Sequence, residues 1–149
     1  MIEIVFASNE SSGNAHREIY HFVEQSYIVV TDDLLETITQ FKGESNKLHI
    51  ATDWTDIIRL AAWKSKPRVG DVFFLLRNMG ITSEELLPFK DGEVPDIFPW
   101  LYYGKRYDAL RKICFAAKTN VEKHIKNKEV RIHCHLTSED ANRIVASSL

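Results

Sequence analysis

The hydrophobic pattern changes period repeatedly along the chain, and the changes outline alternating strands and helices. Ile2 to Phe6 alternate apolar and β-branched types, as a strand does, and a polar stretch from Ser8 to Asn14 follows. Ala15, Ile19, Phe22 and Val23 then recur at helical spacing. Tyr27-Ile28-Val29-Val30 is a short apolar run that predicts a buried strand. Thr31 is placed to cap a helix whose stripe is Leu34, Leu35, Ile38 and Phe41, with Gly43 at its end. Leu48 to Ala51 predicts a third strand, and Asp53 caps a helix carrying Trp54, Ile57, Ile58 and Ala61.

The middle of the chain reads less plainly. Val69 to Leu76 suits a strand or a helix, but Val69, Val72, Phe73, Leu76 and Met79 fit the helical period better, with Gly80 as C-cap. Thr82 opens a second, short helix. Pro88, Pro95 and Pro99 predict an irregular loop with a short helical piece. Residues 105 to 127 give the clearest helix, with Leu110, Ile113, Cys114, Ala117, Val121 and Ile125 on one face. Val130 to Leu136 alternates as a strand, and Thr137 predicts the cap of a final helix through Ile144 and Val145. The strand–helix order predicts an α/β fold. Its sheet is expected to be mainly parallel, of about four strands, with helices on both faces and a helical insertion before the last strand. No repeat or linker divides residues 1–149, so one domain is expected.

Composition narrows the classes. At 149 residues and 44% hydrophobic, the chain can bury a core without metals or disulfides. A formal net charge of −2 excludes polyanion binding by bulk charge. Cys114 and Cys134 both fall in apolar patterns, which predicts buried free thiols and a cytoplasmic protein. The N-terminus has no basic region followed by an apolar one, so no signal peptide is expected. The densest apolar run, Val72 to Leu76, is far short of the roughly 20 residues that span a bilayer. No membrane partner is expected.

Ligands of open parallel sheets bind at the carboxyl ends of the strands. Those ends carry Ser8 to Asn14, Thr31-Asp32-Asp33, Thr52-Asp53-Trp54-Thr55 and Thr137-Ser138-Glu139. Each is also a good helix cap. The first is longer than a cap requires, and its Ser11, Ser12 and Gly13 could cradle a small phosphorylated ligand through backbone N–H groups. Neither a P-loop nor the spaced glycines of a dinucleotide site is present, and Glu10 would oppose a phosphate. Asp32 and Asp33 are adjacent acids that could hold Mg²⁺ or move protons, or serve only the helix dipole.

His133 and His135 form the sharpest pair. On a strand they share a face, ~7 Å apart, which suits metal ligation or acid–base catalysis. Spacing reveals no third ligand, and His49 is only a candidate from another strand. Cys-x-x-Cys and His-Glu-x-x-His are absent, so no metal site and no particular cofactor is predicted. Cys134 lies between the two histidines and faces the other way. His135-Leu136-Thr137 resembles one His-x-Thr element of the two-histidine phosphoesterases. The other would have to be His49-Ile50-Ala51-Thr52, where Ala51 replaces the threonine. That resemblance implies a phosphoesterase-like enzyme using His135 and His49.

A second resemblance covers under a quarter of the chain. Ile4-Val5-Phe6, Ser8, Ser11-Ser12-Gly13 and Val29-Val30-Thr31-Asp32-Asp33-Leu34 are similar to the opening of an uncharacterised bacterial domain family. The family's Ser and Gly-Pro after Asp-Asp-Leu are replaced by Leu35-Glu36-Thr37, and no activity is implied.

Charge is unevenly distributed. From Lys105 to Arg131 there are nine Lys or Arg and three acids, a net +6 that leaves −8 for the rest of the chain. Phe98, Trp100, Tyr102 and Tyr103 precede this segment. Aromatics mixed with cations make protein-interface anchors or base-stacking platforms. The short helix after Gly80 is acidic, which argues against a DNA-reading helix-turn-helix. The leading expectation is a small interaction protein, of immunity, antitoxin or phage-modulator type, that binds a protein partner through Trp100, Tyr103 and Arg106. The alternatives are a nucleotide- or phosphate-binding domain or phosphoesterase-like enzyme at the strand ends, and a nucleic-acid binder using the helix at 105–127.

Overall fold

The computed structural model describes residues 3–43, 46–138 and 142–148. The strands are β1 (Ile4–Ala7), β2 (Tyr27–Val29), β3 (Lys47–Thr52), β4 (Arg131–Ser138) and β5 (Arg143–Ser147). The helices are α1 (Glu10–Tyr20), α2 (Leu34–Thr39), α3 (Trp54–Ala62), α4 (Val69–Asn78), α5 (Ser83–Leu86), α6 (Val94–Tyr103) and α7 (Tyr107–His124). They build one sheet in the order β2-β1-β3-β4-β5, parallel except for the β4–β5 pair. The fold is therefore α/β and mainly parallel, with five strands rather than four, and α3 to α7 fill the insertion before β4.

Strand alternation divides the sheet into two unlike faces. Phe6, Leu48, Ile50, Ile132, Cys134 and Leu136 point to one side, where they join apolar residues of α2, α3, α4, α6 and α7 in the main core. The odd-numbered neighbours Ala7, His49, His135 and Thr137 point to the other side, under α1. This second face is mostly polar: Ser12, His16, His49, His135 and Thr137 are all buried there. No helix of the described residues is long and apolar enough to cross a membrane.

Four expectations are corrected. The final helix is a strand: β4 runs on through Ser138, and 143–147 pairs back on it with a bulge at Leu136/Thr137. A polar cap signal followed by Ile144 and Val145 suits a hairpin as well as a helix, and β-branched residues favour the strand. The run at 27–30 is an edge strand, with Ile28 and Val29 exposed, because it has a neighbour on one side only. The stretch from Ser8 to Asn14 is not a long loop, since α1 starts at Glu10, capped by Asn9. The proline-rich stretch holds a ten-residue helix, α6. Pro95 sits in its first turn, and Pro99 lies on the solvent side, where the carbonyl it leaves without a donor can be hydrated.

The remaining helices are present with shifted ends: Asp33, not Thr31, caps α2, which stops at Thr39 with Gln40 rather than Gly43 as its C-cap, and the helix expected over 105–127 is α7, Tyr107–His124. α4 is a helix, closed by Gly80 at φ +94°, and Thr82 caps α5. Cys114 and Cys134 are buried free thiols. Burial pushes the Cys114 thiol up to about 12, and Cys134 is raised in the same sense.

Candidate functional site

Three histidines converge on the polar face of the sheet. His49 stands on β3 and His135 on β4, and His16 descends from α1 between them. Nδ1 of His49 lies 3.0 Å from Nε2 of His16 and 2.9 Å from Nε2 of His135. One nitrogen from each ring falls within 4.8 Å of the others. His16 and His135 have no exposed surface, and His49 is 4% exposed. Ala51 pairs with His135 across the strands, so no large neighbour competes for that space.

The outer nitrogens are held from behind. Nδ1 of His16 lies 2.8 Å from the Tyr27 hydroxyl, and Nδ1 of His135 lies 2.7 Å from Oγ of Ser147. These partners orient the rings and bias which nitrogen carries the proton. Tyr20 stacks on His16 at 4.4 Å, and Phe22 packs edge-on to His16 and His49. The site is thus roofed by the end of α1 and the turn after it.

The rings are neutral. Burial, with the neighbouring His49 charge, lowers His16 to about 3. Burial, His133 and Lys47 lower His49 to about 4. Burial and the other three histidines hold His135 well below the usual imidazole range. Neutral rings do not complete the hydrogen bonding. An imidazole nitrogen carries one proton or one lone pair, so Nδ1 of His49 can make one full hydrogen bond, not the two its neighbours need. A cation at the point of convergence would accept all three lone pairs at once. For tetrahedral zinc at about 2.0–2.1 Å from nitrogen, ligand atoms stand roughly 3.3 Å apart. Two of the three separations are already within about half an ångström of that.

His133, one side of the predicted pair, lies beside this group and is half-buried, its ring 5.0 Å from that of His49. Its Nδ1 is buried and has no hydrogen-bond partner among the described residues. The fold therefore brings together His135 and His133 as expected, adds His49, and adds His16, which the sequence reading missed. His16 sits on the apolar side of α1 one turn before Tyr20, and a histidine at a core-facing helical position was the signal for it.

The other predicted residues lie elsewhere. Ser12 and Gly13 are packed inside α1: Ser12 Oγ is 2.6 Å from Oγ1 of Thr137, and a Cβ on Gly13 would meet that of Ala7 at 3.4 Å. Ser11 is half-buried in the same first turn. Asp33 caps α2 by accepting from the Glu36 N–H. Asp32 and Asp33 line a polar cleft of about 360 Å³ with Thr31, Asp56 and Arg59. The reversal of strand order between β1 and β3 is bridged by the chain itself. There Ser8 N–H donates to the Ala51 carbonyl, Asp53 N–H donates to Ser8 Oγ, and Asn9 Nδ2 donates to Asp53. At the third predicted surface Tyr103 is exposed. Trp100 is half-buried against Phe89, and Arg106 pairs with Glu85 at 3.1 Å.

No protein-family model matches the chain, and neither a curated protein nor a solved structure does.

Proposed function

We propose that this protein is a metal-binding α/β domain that holds one divalent transition-metal ion between α1, β3 and β4, through His16, His49 and His135. The observation that carries this reading is the convergence of three buried, neutral imidazole nitrogens that cannot all be satisfied by one another. Three nitrogen donors without a carboxylate favour zinc, or copper, nickel or cobalt, over magnesium and calcium. Tyr27 and Ser147 supply the outer hydrogen bonds that such ligands require. Calorimetry of the chelator-stripped protein with zinc tests the reading. One equivalent is expected to bind, and His16→Ala, His49→Ala and His135→Ala are each expected to abolish tight binding. Zinc uptake that is absent, or unchanged in all three variants, refutes it.

A protein partner on the α6–α7 surface is a second reading, and the exposure of Tyr103, Tyr107 and Phe115 favours it. Lys118 lies over the Phe115 ring at 5.8 Å, so cations and aromatics share this face. Tyr103 and Arg106 replaced by Ala should weaken capture of an acidic partner and leave the fold intact, whereas Trp100→Ala would also remove packing on Phe89 and the core. Unchanged affinity for an isolated partner sinks this surface.

A further inference from the structure

The three ligands of the metal reading are all neutral, so a bound divalent ion would keep its whole charge in a buried place. No Asp or Glu joins the group among the described residues. The surroundings add positive charge. Lys47 pairs with Arg131 at the start of β3 and β4, two residues before His49 and His133 respectively, and so on the histidine face. Glu3, which lies 4.0 Å from Lys47, is the opposing carboxylate. His133 itself is half-buried and forms the more open edge of the group, and its buried Nδ1 lacks a partner. A buried ring nitrogen without a protein partner is free to hydrogen-bond a ligand. Three protein ligands leave a tetrahedral ion one further position.

Resting on the metal reading, we propose that this fourth position takes a small oxyanion, and that Nδ1–H of His133 donates to it while Arg131 and Lys47 draw it in. The anion neutralises the ion, and its free oxygen satisfies His133. His133 is then a ligand-positioning residue and not a fourth metal ligand, in keeping with its place outside the three converging nitrogens.

The test uses the full chain loaded with cobalt(II), whose visible absorption reports coordination, titrated with inorganic phosphate. A saturable spectral change is expected. His133→Ala should weaken phosphate binding about tenfold, the loss of one charge-assisted hydrogen bond, with cobalt stoichiometry kept. Arg131→Gln, at an exposed position, should weaken it less and in a salt-dependent way. A chain that takes up no cobalt overturns the metal reading and this one together. Cobalt uptake with no spectral response to phosphate overturns this inference alone. A response that both variants leave unchanged also overturns it, because the anion then sits elsewhere.

Discussion

Acid should destabilise the metal-free protein well above the pH at which its carboxylates titrate. His16 is held at about 3 and His49 at about 4, by burial first and by neighbouring charge second. In the unfolded chain both return to about 6.5. Between those values the unfolded state binds protons that the native state refuses, so stability falls as pH falls. Each group removes about 1.4 kcal/mol per pH unit across its window, so His16 alone removes about 3 kcal/mol between pH 6.5 and pH 4. His49 and His135 act in the same direction. The rings touch, so their effects do not simply add. A loss of about 3 kcal/mol or more is a large part of the 5–15 kcal/mol that holds a typical domain together. Asp71 is held low by the Arg68 N–H and by Lys64, so its own loss comes in the carboxylate range, at the bottom of the histidine window and beneath it. Urea unfolding of chelator-treated protein at pH 7, 6, 5 and 4, followed by tryptophan fluorescence, measures the effect. The midpoint should fall steadily from pH 6.5 downward, and His16→Gln should flatten that fall. A midpoint constant from pH 7 to pH 4.5 would mean that the folded rings protonate as freely as unfolded ones, and the burial argument would fail.

Further outcomes follow from the packing. Zinc at a hundredfold excess over its dissociation constant should stabilise the fold by about 2.7 kcal/mol and raise Tm, an effect that His49→Ala should remove. Cys114 and Cys134 should resist a thiol reagent until the protein unfolds, since both are buried and neither forms thiolate readily; fast labelling of the native chain would contradict this. Gly13→Ala should be tolerated, with its Cβ in ordinary contact with Ala7 at 3.4 Å. Gly13→Val should cost about 1–3 kcal/mol in urea denaturation by overpacking α1 on β1, and a neutral result would show that the helix can shift outward.

Some of the site was legible in the chain. His133 and His135 share a strand face because side chains alternate with period 2, and that much needs no structure. His49 could be named as a candidate but not placed, since register across β3 and β4 is set by how two distant segments meet. His16 belongs to a helix whose start was misplaced. Ser11, Ser12 and Gly13 look like loop residues, yet Asn9 caps the helix ahead of them and they pack inward.

What the sequence determined by itself is local. The periods of the apolar residues and the caps at Asp53 and Thr82 specify most helices and the parallel core strands, whereas the cap of α2 moved from the expected Thr31 to Asp33. The alternation of β4 specifies that histidines and Cys134 face opposite sides. Tertiary structure decided what depends on neighbours far away in the chain. It made β2 an exposed edge, turned 143–147 into a strand by giving it β4 to pair with, and gathered the nitrogens of residues 16, 49 and 135. Local patterns report the conformation of a segment; a cluster of ligands is a property of distances between segments, and only the folded sheet sets those.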